Sequence, residues 1–137
     1  MGKCFIIRNH LAPMKSIYLR LPAAVLFIAW AVLHMIYGID IASIPQLRVI
    51  GGFFIADAVL AIIAAVLVLL NVVVMFIPIL IYSWINYLLL TESRVFPAPV
   101  LGHAIPVIDP TVIAVMILDV VIIILVTALC VVGKRGG

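Results

Sequence analysis

Four long apolar stretches set the terms for what this chain can fold into. A helix needs about 20 predominantly apolar residues to cross the hydrocarbon core of a bilayer. The sequence supplies such runs at about 21–39, 49–70, 72–90 and 111–132. Of the 137 residues, 69% are hydrophobic and only 9% are charged, where a soluble domain carries about 25% charged residues. So short a chain cannot hide that much apolar surface within itself in water, so lipid must be part of its solvent. The expected fold is an all-α membrane protein, a four-helix transmembrane bundle over 21–132. A tail over 1–20 precedes it and a tail over 133–137 follows it.

Prolines, glycines and one asparagine punctuate the runs. Pro22 fits the first turn of the first span, while Pro110 opens the fourth and Gly133 closes it. The boundary between the second and third spans is less marked. A single helix over 49–90 would be about 60 Å long, twice the membrane core, so the chain must turn. Asn71 is the turn former near the midpoint. Pro78 gives a second reading, in which it starts the third span.

Basic residues in short loops and tails set the orientation of a membrane protein. Lys3, Arg8, Lys15, Arg20, Lys134 and Arg135 gather on one side, against Arg48 and Arg94 on the other. Both termini are therefore expected to be cytoplasmic, in a cell-membrane protein. The first span is longer than the 7–15 apolar residues typical of a signal peptide, so it reads as a retained helix. Met14 is an alternative start, which would make residues 1–13 dispensable. Cys4 and Cys130 stand in no metal-ligand or redox spacing and read as structural or incidental. No zinc motif, phosphate-binding loop, dinucleotide fingerprint or nucleophile elbow is present, and no nucleic-acid partner is expected.

Inside the apolar runs lie two aspartates, Asp57 and Asp119. A carboxylate in hydrocarbon costs several kcal/mol, so it must face a protein interior, a partner or water. At about 1.5 Å of rise per residue, His34, Asp57 and Asp119 all fall roughly 9–12 Å below the outer ends of their spans. With the turn at Asn71, Tyr82, Ser83 and Asn86 join them. The inner half is dry by comparison, which suggests a polar pocket open to the outside. The i, i+4, i+7 rule puts Asp57 on one face with Ala61, Ala64, Ala65 and Val68, a small-residue face suited to close helix packing. Asp119 shares a face with Ile123, Val126 and Cys130, and His34 lies with Phe27, Trp30, Tyr37 and Gly38.

Three roles compete for this layer. The acids could accept hydrogen bonds from His34, Tyr82 or Asn86 and lock helix register, within the bundle or across a subunit interface. They could form a proton or small-molecule site. His34, Asp57 and Asp119 could also act as three ligands for zinc, iron or copper. A bis-histidine haem within the chain is not expected, because His34 is the only histidine in a span. No cofactor is expected in the chain alone, while haem, copper or quinone could come through partner subunits.

The outer loop over 91–110 is rich in proline and unusually apolar. It is expected to lie on the membrane interface, to fold over the bundle mouth or to pack against a partner subunit. His103 and Asp109 could then cap the polar layer. In architecture, four short spans with an acid in the second, the chain resembles DoxX-type small membrane proteins; the likeness carries no motif and no residue role.

The leading expectation is a small, non-catalytic subunit of a larger membrane complex, respiratory or oxidoreductase-like. It would contact lipid and other subunits through its transmembrane faces and loop 91–110. The alternative is a small transporter, proton-coupled carrier or quinone- or metal-binding protein that uses an outward-facing polar pocket.

Overall fold

The computed structural model describes residues 2–97 and 108–135, and every regular element among them is helical. Helix α1 spans Gly2–Ala42, α2 Arg48–Leu69, α3 Phe76–Val95 and α4 Pro110–Arg135. Four segments are long and apolar enough to cross a membrane: Ser16–Ala42, Pro45–Leu69, Val73–Val95 and Pro110–Gly133. By length and composition this is a multi-pass membrane protein.

The turn between α2 and α3 uses both residues that the sequence offers. Asn71 adopts a left-handed backbone, φ 58°, which asparagine tolerates better than most residues. The Val72 N–H donates to the Leu67 carbonyl and the Asn71 N–H to the Val68 carbonyl, each at 3.1 Å. This pair of bonds ends α2 as a Schellman motif and satisfies its last carbonyls. A short 3-10 turn, Val73–Met75, then leads into α3, and Pro78 sits in its first turn, where a missing N–H costs nothing.

Several boundaries differ from the expected ones. Residues 91–94 belong to the last turns of α3 and not to a loop. Their hydroxyls explain why polar residues suit that end. Thr91 Oγ1 donates back to the Tyr87 carbonyl at 2.9 Å, and Ser93 Oγ to the Leu90 carbonyl at 2.8 Å. Helix α1 begins far ahead of residue 21, so Pro22 lies in its interior rather than its first turn. Gly133 does not close α4, which runs on to Arg135. A Cβ at Gly133 would stand 2.9 Å from Val73 Cγ1, so this glycine gives the α2–α3 connection room beside α4.

Helix α1 lies along α2, and α4 packs against both α1 and α3. The α1–α2 crossing is close because glycines line it. A Cβ on Gly51 would fall 2.5 Å from the Ala42 nitrogen and 2.6 Å from the Gly38 carbonyl oxygen. Small residues at such a crossing let two backbones approach within a membrane. On α2 the face carrying Asp57, Ala61, Ala64, Ala65 and Val68 is buried throughout, as its spacing predicts. Phe27, Phe76, Leu129 and Val126 complete the core from the other three helices. Large apolar side chains such as Val25, Ile36, Ile63, Ile81 and Ile124 point outward, where lipid would solvate them.

Candidate functional site

Each of the four helices contributes to a polar layer. Asp57 on α2, Ser83 and Asn86 on α3 and Asp119 on α4 are all buried, at 7%, 3%, 9% and 3% exposure. The Tyr82 hydroxyl donates across the α2–α3 seam to Asp57, 2.8 Å from its Oδ1 and 3.0 Å from its backbone oxygen. Asn86, one helical turn after Tyr82, presents its side-chain amide to both Asp57 and Tyr82. Ser83 does not join this group, because its hydroxyl donates back to the Ile79 carbonyl at 2.9 Å.

On the α1 side the organising residue is Trp30. Its ring stacks on His34 with centroids 3.5 Å apart and planes 15° from parallel. It also meets Tyr82 edge-on at 6.4 Å. The i, i+4 spacing of Trp30 and His34 puts the rings one above the other on a helix face. His34 Nδ1 lies 3.1 Å from the Trp30 carbonyl. A carbonyl can only accept, so Nδ1 is the donating nitrogen. No hydrogen bond joins His34 to either aspartate.

Asp119 is the least satisfied member. The indole N–H of Trp30 is the hydrogen-bonding group beside it, but the two do not align into a well-formed bond. Trp30 Nε1 and Asp119 Oδ2 are both buried without a partner. Asp57 and Asp119 are near enough to interact electrostatically. The layer therefore has one well-bonded carboxyl and one poorly bonded carboxyl, joined through the aromatic pair Trp30 and Tyr82.

Sequence depth groups His34, Asp57, Tyr82, Ser83, Asn86 and Asp119; Tyr82 and Asn86 meet Asp57, whereas His34 and Ser83 bond to carbonyls of their own helices. Trp30 is absent from the expected site residues, although its spacing from His34 is the signal that would have added it. Among the described residues no group of three or more His, Cys, Asp or Glu could hold a metal ion. Asp109 has a local role: its Oδ1 accepts the Val112 N–H at 2.8 Å, which makes it the N-cap of α4. His103 and the apolar centre of the outer loop lie outside the described residues.

Two open grooves lie on the surface of the described residues, and neither is lined by Asp57, Tyr82, Asn86 or Asp119. One of about 500 Å³ runs along α4 between Ile113 and Val121, with Tyr87 and Ile108 at its edge. The other, of about 190 Å³, lies between α1 and the end of α2. Both are lined almost wholly by apolar side chains.

No family model, curated protein or solved structure matches the chain. The resemblance to DoxX-type proteins thus remains one of helix number and acid position.

Proposed function

We propose that this protein is a small, non-catalytic integral subunit of a larger membrane assembly, with its polar layer acting as a lock between helices. The observation that carries this reading is the Tyr82–Asp57 hydrogen bond, 2.8 Å across two helices, between residues that line neither groove. Polar groups that bond one another inside a bundle fix its register, because in hydrocarbon they have few other partners. The outward face offers lipid and neighbouring subunits a broad apolar surface. Both termini are assigned to the cytoplasm and the protein to the cell membrane, on the excess of Lys and Arg at the end of the bundle that holds both termini. Purification through a C-terminal tag in mild detergent, followed by mass spectrometry and cofactor analysis, tests this reading. Defined, stoichiometric partners support it. A chain recovered as a stable monomer or homo-oligomer counts against it.

A second reading rests on Asp119. A buried carboxyl oxygen without a partner is unusual for a purely structural group, and acids at this depth often mark proton or substrate paths. Under this reading the chain is a small proton-coupled carrier that works through Asp119 and Asp57. Asp119→Asn would then abolish transport by reconstituted protein while leaving the fold intact.

A further inference from the structure

We propose that the end of the bundle carrying Arg20 holds an anionic phospholipid, with the phosphate at the Arg20 guanidinium and one acyl chain in the groove beneath it. This site is distinct from the polar layer and does not depend on the subunit reading.

Three observations converge on it. The first is the position of Arg20. It lies on α1 beside the end of α2. Its Nη1 donates to the carbonyl of Leu69, the last residue of α2, at 3.0 Å. That contact fixes the guanidinium at the level where the apolar span Pro45–Leu69 ends, the boundary at which a lipid phosphate would lie. The second is that the Leu69 carbonyl is the guanidinium's hydrogen-bond partner among the described residues, so the Nη atoms of this half-buried side chain keep donating capacity toward the surface. An arginine fork matches phosphate oxygens well.

The third is the groove. Leu21, Ala24, Val25, Ile28 and Leu69 line a cleft of about 190 Å³, and Leu69 is the residue whose carbonyl Arg20 holds. A cation at the mouth of an apolar cleft, at the membrane boundary, complements an acidic headgroup with its chain below.

The charge of this end adds to the case. Gly133 lies against Val73, which brings the C-terminal end of α4 to the same side as the end of α2. Lys15, Lys134 and Arg135 therefore belong to the Arg20 end. Asp40, Glu92 and Asp109 belong to the opposite end, and Asp57 and Asp119 lie within spans. Thus no acidic residue competes with a lipid phosphate at the Arg20 end. The larger groove along α4 has no such cation among its lining residues.

The test uses the full-length protein in bilayers that mix phosphatidylglycerol and phosphatidylcholine of matched chains, with retained lipid read by native mass spectrometry. The wild type is expected to retain phosphatidylglycerol over phosphatidylcholine by about fivefold, the effect of one basic residue near a membrane surface. Arg20→Gln should remove that preference. Val25→Trp, which fills the groove without touching Arg20, should also lower phosphatidylglycerol retention, and it decides the matter should Arg20→Gln fail to fold. Equal retention of the two lipids by the wild type overturns the proposal. So does a preference that survives Val25→Trp, or a polypeptide found on this surface in place of lipid.

Discussion

Tyr82 reaches across the α2–α3 seam to Asp57 with its hydroxyl 2.8 Å from the carboxyl oxygen. Helices α2 and α3 follow one another in the chain, yet α1 and α4 supply most of the packing that holds the bundle together. The hydrogen bond thus spans a seam where backbone packing is slight.

Tyr82→Phe should loosen that seam. Interhelical hydrogen bonds in membranes average about 0.6 kcal/mol and reach nearly 2, and this one joins a buried acid. We expect a lower thermal midpoint in detergent. In a double-mutant cycle with Asp57→Ala the two losses should be non-additive, because both remove the same bond. Additive losses would mean that the bond contributes little.

Replacing Asp119 should have the opposite character. Its Oδ2 is already without a partner, as is the indole nitrogen beside it. A leucine there removes a buried polar group and strands no group that is now bonded, a change often neutral or stabilising. Asp119→Leu should therefore leave the thermal midpoint unchanged or raise it. A sharp fall would reveal a structural bond that the carboxyl must be making.

The glycine crossing gives a matched pair. Gly51→Ala forces a methyl group to within 2.6 Å of the Ala42 side chain and into its backbone, whereas Gly52→Ala meets nothing within 4 Å. Overpacking of this kind costs about 1–3 kcal/mol. Denaturation in mixed detergent should separate the two variants clearly, with Gly52→Ala close to wild type.

At the α2–α3 turn, Asn71→Gly should be tolerated and Asn71→Val should not. A left-handed backbone costs a side-chain-bearing residue about 1–2 kcal/mol, and a β-branched side chain makes it worse. Thermal unfolding of the two variants checks the order.

Much of the fold is legible in the sequence because hydrocarbon imposes so few solutions. Four apolar runs must be four helices, and the alanine face beside Asp57 must pack inward. The ends are harder to read. Residues 91–94 look like loop because they are polar, but serine and threonine hydroxyls bond back to helix carbonyls and extend α3. Pro22 and Gly133 look like boundaries, yet both lie inside helices. Depth along the spans groups Asp57, Tyr82, Asn86 and Asp119 together with His34 and Ser83, but it does not tell which of them bond across helices and which bond to their own helix carbonyls. Nor does it reveal the part played by Trp30, since depth gives no sign of a ring that stacks on His34 and edges against Tyr82. Asp109 caps its own helix, a local role that sequence depth does not indicate.

The most direct test of the account compares what accompanies the wild type and Tyr82→Phe through purification on a C-terminal tag in mild detergent. The account predicts stoichiometric membrane partners with the wild type, and fewer partners with the variant in proportion to its loss of folded chain. A wild-type chain that arrives alone, stable and folded, would contradict it and would direct attention to Asp119 and Asp57 as a site that the protein uses by itself.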